Sequence, residues 1–312
     1  MRILFTGAGS FTGWWFAHAL AGEGHQVTAT FQRPPAAYTG LAGERLSALP
    51  AGCRREHGVS FGDGRFIELA GSGFDLVCHH GARVEGYRSP DFDVAAALAA
   101  NTRGAPQVLR AMAGSGCRAL LVTGSVFESG EGQGDAELRA IGGYGLSKAF
   151  TWQTLAHHAD GAGVAIAKFV IANPFGPWEG ERFTAHLMGS WLDGRSARVA
   201  TPGYVRDHIH VSLLAAAYAR FAAQLAARPG VCRIGPSGYR ESVGAFARRA
   251  AFEVAARTGL DCRLELADQV DFPEPRVRVN TDRVDVPGWD EAAAWDGLVG
   301  WYAGRSSGRA AA

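Results

Sequence analysis

The first 22 residues constrain the fold more than any other stretch of this 312-residue chain. Arg2-Ile-Leu-Phe-Thr6 is a short apolar run, Gly7-Ala-Gly9-Ser10-Phe11-Thr12-Gly13 is a glycine-rich turn, and residues 14–22 have helical character. Strand, glycine turn and helix together open a βαβ unit. Glycines there permit a tight turn and let the backbone approach a pyrophosphate, while the helix N-terminus supplies free N–H groups and a partial positive charge. A glycine cluster by itself marks any tight turn; its position directly after the first strand is what points to a dinucleotide. Gly7, Gly9, Ser10, Phe11, Thr12 and Gly13 are the residues expected to line it.

Residues 26–31 read as the second strand. An NAD site commonly ends this strand in an Asp or Glu that binds the ribose hydroxyls, yet here the end is Phe31-Gln32-Arg33. Arg33 either pairs with a 2′-phosphate, which tips the cofactor from NAD towards NADP, or is a solvated loop arginine. Residues 41–49 suggest a short helix and 54–61 a third strand. Residues 74–79 form a fourth, ending in His80-Gly81-Ala82, where Gly81 and Ala82 are small enough for backbone to lie along a cofactor. A long helical pattern over 91–113 contains Asn101, and residues 118–123 make the fifth strand. Strands alternating with helical patterns predict parallel βαβ units, hence an α/β fold with a Rossmann-type doubly wound sheet. Ligands on such a sheet lie at the carboxyl ends of the strands, where Gly7, Arg33, Gly81 and Thr123 all fall.

Tyr144-Gly-Leu-Ser-Lys148 follows the fifth strand and starts a helix. Residues four apart share a helix face, so the Lys148 ammonium can sit beside the Tyr144 phenol and lower its pKa from about 10. A phenol so tuned is a general acid or base near neutrality, and Thr123 can hold the oxygen that exchanges the proton. Taken alone, the same spacing also describes an ordinary amphipathic surface pair.

Composition excludes several other classes. With 31 basic and 30 acidic residues, no basic field points to nucleic acid or a membrane surface. Five cysteines without C-x-x-C spacing fit reduced thiols in a cytoplasm. His79/His80, His157/His158 and His208/His210 are close pairs, but no third ligand recurs at zinc-like spacing, so no metal is expected. The first residues already form a strand and no apolar run approaches about 18 residues, so neither a cleaved signal nor a membrane anchor is expected. Residues 304–312, rich in Gly, Ser, Arg and Ala, read as a frayed tail.

Taken together, the glycine turn, Asn101, Thr123 before Val126-Phe127, and the Tyr144/Lys148 pair resemble the extended short-chain dehydrogenase/reductases, in their nucleotide-sugar epimerase/dehydratase branch. Asn173-Pro-Phe-Gly-Pro177 resembles the family's N-x-Y-G-P turn, and Arg206-Asp-His-Ile-His210-Val its R-D-x-I-H-V segment. The resemblance implies Tyr144 as acid/base, Lys148 on the nicotinamide ribose, Thr123 on the sugar oxygen, and Asn173 and Arg206 on a nucleotide diphosphate. It also implies a cofactor lobe over 1–173, an interleaved substrate lobe over 174–312 that lends late strands to the sheet, and a homodimer built on the helices of 91–113 and 144–159. Ser10 replaces the family's middle glycine. The Asp that ends the family's third strand is missing, Val59 holding its register and Asp63 being a substitute. Gly124-Ser125 stand where 4,6-dehydratases carry an Asp-Glu pair, which disfavours that reaction. The expectation is a nucleotide-sugar 4-epimerase, with a 4-ketosugar reductase using NADPH and a non-catalytic cofactor sensor as alternatives.

Overall fold

The N-terminal apolar run becomes the middle of a seven-stranded sheet. In the computed structural model, which describes residues 1–117, 119–230 and 232–310, β1 (Arg2–Thr6) lies between β2 (Gln26–Phe31) and β4 (Leu76–His79). β3 (Arg54–His57) extends the sheet beyond β2; β5 (Ala119–Ser125), Ala165–Ile171 and Cys232–Ile234 follow β4 on the other side. Every pairing is parallel. Strand order reverses between β1 and β4, which makes the gap between their carboxyl ends the switch point where such sheets take ligands.

Parallel strands covered on both faces read as continuous apolar runs, and side-chain alternation divides them between two helical layers. Ile3, Phe5, Cys78 and Leu121 pack with α1 (Phe11–Gly22), α2 (Gly40–Ser47) and the helix Val211–Ala227. Leu4, Val77, Leu120 and Val122 pack with α3 (Gly64–Ala70), α5 (Ala105–Gly114) and α6 (Gly142–Ala162), and α4 (Val94–Asn101) lies against α6.

The pattern over 91–113 does not form one helix. Gly104, at φ 57°, separates α4 from α5, and its missing side chain lets it lie against Gly62, whose carbonyl oxygen would be 2.4 Å from a Cβ. The third strand stops at His57, because Gly58 turns the chain at φ 72°. The expected frayed tail is helical through Ala310, since the helix Glu291–Ala310 is anchored by buried Trp295, Leu298 and Val299 and propagates from that nucleus. Residues 118, 311 and 312, named above in the fifth strand and the tail, lie outside the described residues.

A second sheet joins Tyr239–Ser242, Val205–His210, Val277–Val279 and Gln133–Gly134, with Asn173–Phe175 paired to Val205–His210. It has its own core around Phe175, Trp191, Phe246 and Trp295. The last helix then crosses back to the first sheet's helices. Trp301 meets Trp178, the Tyr302 hydroxyl donates to Glu179 at 2.7 Å, and Arg305 pairs with Glu44 of α2. Trp178 has φ 70°, the one positive value at a non-glycine position among the described residues, and is packed on Trp14 at 4.9 Å.

Candidate active site

The glycine turn is dictated by close packing. A Cβ at Gly7 would stand 2.8 Å from the Gly81 nitrogen, and one at Gly13 only 2.0 Å from the Gly7 oxygen, so β1, β4 and α1 can converge only with glycine at both positions. Gly9 is less constrained, since its Cβ would meet the Tyr38 ring at 3.5 Å. Ser10 replaces a glycine without opening the turn. It caps α1, its Oγ accepting the Gly13 N–H at 3.1 Å and donating to the Gly7 oxygen at 2.9 Å. Phe11 and Thr12 are buried at the start of α1, and the half-buried Gly81 donates its N–H to Thr6 Oγ1 at 2.8 Å ahead of half-buried Ala82. This cradle, narrow and floored by backbone, fits a dinucleotide.

Arg33 projects from the end of β2 over the Tyr38 ring at 4.7 Å, exposed and paired with no carboxylate among the described residues. Arg45, within the short helix and carrying no motif that singles it out, is buried with Nη1 3.5 Å from the Gly9 oxygen; burial and Arg182 push its pKa down to about 10. Two expected cofactor contacts are otherwise engaged. Asn101 is buried, accepting from the Arg83 N–H and donating to Thr151, and Asp63 spends both oxygens capping α3 through Phe66 and Ser60.

At the end of β5 the structure brings Thr123 and Lys148 together, but not by the contact that the spacing suggests. Lys148 is buried and donates from Nζ to the Thr123 carbonyl oxygen at 2.5 Å, while the half-buried Tyr144 ring turns towards Tyr87 and Phe92 at 5.6 and 6.2 Å. Consequently the phenol is not acidified. Burial, then the Glu128 carboxylate, push its pKa above the ordinary tyrosine value, with Arg182 opposing. Gly145, between them, is required because a Cβ there would stand 2.2 Å from the Phe127 oxygen. The Thr123 hydroxyl points to the opposite face of the strand, where it meets His80 Nδ1 at 3.1 Å.

Behind Tyr144 lies a group of ions that sequence periodicity did not reveal. Lys168 is buried in its strand and binds Glu128 at 2.8 Å and Glu131 at 2.7 Å; Glu131 reaches Arg233 at 2.5 Å, and Glu128 also accepts the Ser125 N–H at 2.7 Å. The only signal was a lysine in the apolar run Ala-Ile-Ala-Lys-Phe-Val-Ile. Arg278, fully buried, braces the same segment through the carbonyls of Val126 and Glu128, both at 2.8 Å.

In the second sheet Asn173 is half-buried, its Nδ2 3.4 Å from the Asp207 oxygen. Arg206 is not an open cation. Its Nη1 is shared among the carbonyls of Val205, Pro275 and Arg276, and its Nη2 pairs with Glu274 at 3.1 Å. A cleft of about 450 Å³ adjoins that pair, between residues 136–142 and 273–275. Among the described residues no three His, Cys, Asp or Glu side chains gather in a metal-holding group, and no helix is long and apolar enough to cross a membrane.

Comparison with known proteins identifies the family and the fold. The sequence pattern of the NAD dependent epimerase/dehydratase family matches residues 3–235. Among solved structures, a UDP-glucuronic acid 4-epimerase from Bacillus cereus, in complex with UDP-glucuronic acid and NAD, is 16% identical with a TM-score of 0.74, covering 98% of this chain and 100% of that one. A Thermus thermophilus UDP-glucose 4-epimerase complex with NAD is 19% identical with a TM-score of 0.70, over 97% and 99%. A UDP-glucose-4-epimerase from Stenotrophomonas maltophila, with NAD and formylated UDP-arabinopyranose bound, is 21% identical with a TM-score of 0.72, over 99% of each chain. At these identities the likeness establishes the fold. Among curated proteins none matches the sequence significantly.

Proposed function

Because the chain belongs to the NAD dependent epimerase/dehydratase family, we propose that it is a nucleotide-sugar epimerase acting at the sugar C4. The observation that carries this reading is the Lys148 bond to the Thr123 carbonyl, which ties the Tyr144 helix to the end of β5 beside the glycine cradle. Tyr144 exchanges the proton of the C4 oxygen, Thr123 meets that oxygen, and Lys148 fixes the helix that presents the phenol. A nicotinamide cofactor, when bound, accepts the C4 hydride and returns it. Gly7, Gly9, Ser10, Phe11, Thr12 and Gly13 hold its pyrophosphate, Gly81 and Ala82 lie along it, and Asn101 supports that wall through Arg83. Arg33, exposed and without a carboxylate partner among the described residues, suits a 2′-phosphate and favours NADP. Asn173 and Arg206 face the diphosphate of the substrate, Arg206 exchanging Glu274 for phosphate oxygens to which its planar fork is matched.

A second reading shares every residue named. Burial, then Glu128, push the Tyr144 pKa up, favouring the form that delivers a proton to a carbonyl oxygen, as a 4-ketosugar reductase using NADPH requires. We assign residues 1–173 to the cofactor lobe and 174–312 to the substrate lobe, with dimerisation through α4, α5 and α6. The nucleotide that co-purifies tests the choice: tightly held NAD supports the epimerase, and an empty protein that binds NADPH supports the reductase. Calorimetric titration of UDP, GDP, CDP and dTDP, with cofactor present, tests the substrate class; no binding by any of the four would overturn it.

A further inference from the structure

Beneath the glycine turn, His80 stacks on Phe5 at 5.8 Å and meets Phe16 edge-on at 5.1 Å, and both of its ring nitrogens reach hydroxyl groups. Nε2 lies 3.1 Å from Ser10 Oγ and 3.2 Å from Thr12 Oγ1, and Nδ1 lies 3.1 Å from Thr123 Oγ1. One imidazole thus spans the cap of the cofactor helix and the hydroxyl assigned to the reacting oxygen. Burial, with Lys148 and His79 adding to it, pushes the ring's pKa down to about 3. A neutral imidazole has one N–H and one lone pair, and the neighbouring groups decide which nitrogen has which.

The neighbours' hydrogen bonds point one way here. Ser10 Oγ has a single hydrogen, which goes to the Gly7 oxygen, and it already accepts the Gly13 N–H. What Ser10 offers His80 is a lone pair, and Thr12 Oγ1 offers another at 3.2 Å, so Nε2 is assigned the ring hydrogen and donates between the two. Nδ1 is then an acceptor facing Thr123, whose one hydroxyl hydrogen it takes. We propose that His80 is a positioning residue that fixes the Thr123 hydroxyl as a donor to Nδ1, leaving Thr123 only oxygen lone pairs to offer a ligand.

The consequence is a selectivity between oxidation states, resting on the reading that Thr123 meets the reacting oxygen. A hydroxyl of the ligand has a hydrogen to give Thr123 and is accepted. A C4 carbonyl has none, and must find its donor in the protonated phenol of Tyr144. Ser10, through Nε2, couples the cofactor turn to this choice.

The test is the tautomer itself, read by long-range proton–nitrogen correlation NMR of histidine-labelled protein without cofactor or sugar. Hydrogen on Nε2 is expected, unchanged from about pH 8 to pH 5, and Thr123→Val should move the Nδ1 resonance while leaving Nε2 bearing its hydrogen. Ser10→Ala, at an exposed position, should raise the fraction of the other tautomer. A resting Nδ1–H ring, an imidazolium in that pH range, or an Nδ1 signal indifferent to Thr123→Val would each overturn the proposal. Since the measurement needs no ligand, it stands apart from the nucleotide titrations. A protein that binds no nucleotide yet shows the expected tautomer would refute the proposed reaction and keep the His80–Thr123 bond.

Discussion

The two faces of β5 carry polarity in opposite ways. On the α1 face, Thr123, His80, Ser10 and Thr12 are neutral groups joined by hydrogen bonds of 3.1 to 3.2 Å. On the α6 face, the space beside Gly124 is filled by Glu128 and Lys168, and a Cβ there would stand 2.8 Å from Glu128 Oε1. Neutral bonds cost little to bury and fix direction; buried ions are costly to desolvate, act over distance, and hold only while every member is present. Thr123 and Tyr144, which the proposed reaction brings to one oxygen over the carboxyl end of β5, therefore approach it from two faces in different electrostatic settings, the first oriented by a ring, the second biased by a charge.

Breaking the charged face should have the largest effect. Lys168→Met leaves Glu128 without its counter-ion and should cost about 3–5 kcal/mol of stability by denaturant unfolding. Adding Glu128→Gln should recover part of that loss, and a single variant as stable as wild type would show that the ions are not coupled. Next, Tyr144→Phe should lower turnover about 10²-fold or more with cofactor affinity nearly intact; undiminished turnover removes the phenol from the chemistry. Arg33→Ala, away from both faces, should weaken NADPH by about 1.5–3 kcal/mol and leave NADH unchanged, and equal losses would refute the 2′-phosphate contact. The neutral face should respond least, and most distinctively in acid. The His80 pKa is depressed to about 3 from 6.5, so its contribution is complete above the unfolded value and is lost as pH falls from there towards 3. His80→Gln should lower Tm at alkaline pH, where the ring's stacking and bonds are lost, and flatten the decline of Tm with acidification in that window; an unaltered acid limb would mean that the ring titrates alike folded and unfolded.

The sheet was legible because parallel strands must be apolar on both faces, and Gly7 and Gly13 because only glycine fits where backbones meet. The break at Gly104-Ala-Pro106 was written in the sequence and outweighed by the apolar periodicity around it. Partner choice was not legible. Spacing places Lys148 near Tyr144, but a lysine reaches several acceptors, and a buried carbonyl at the end of β5 outcompeted the phenol. The pairing of Arg206, for which the resemblance implies a diphosphate contact, was not legible either, because its partner, Glu274, lies 68 residues away in an irregular segment. Glu128 and Lys168, 40 residues apart, are linked by no period at all.

The helix Glu291–Ala310 sets an order of assembly. Trp178, Glu179 and Glu44 receive partners from residues 301–305, and two of these contacts, Tyr302 with Glu179 and Arg305 with Glu44, span 123 and 261 residues. Contacts between neighbouring strands and helices of the first sheet close far shorter loops, and loop closure must be met before a distant contact can stabilise anything. On refolding from denaturant the glycine cradle should therefore form before this clasp, and protease resistance around residues 301–305 should be gained last.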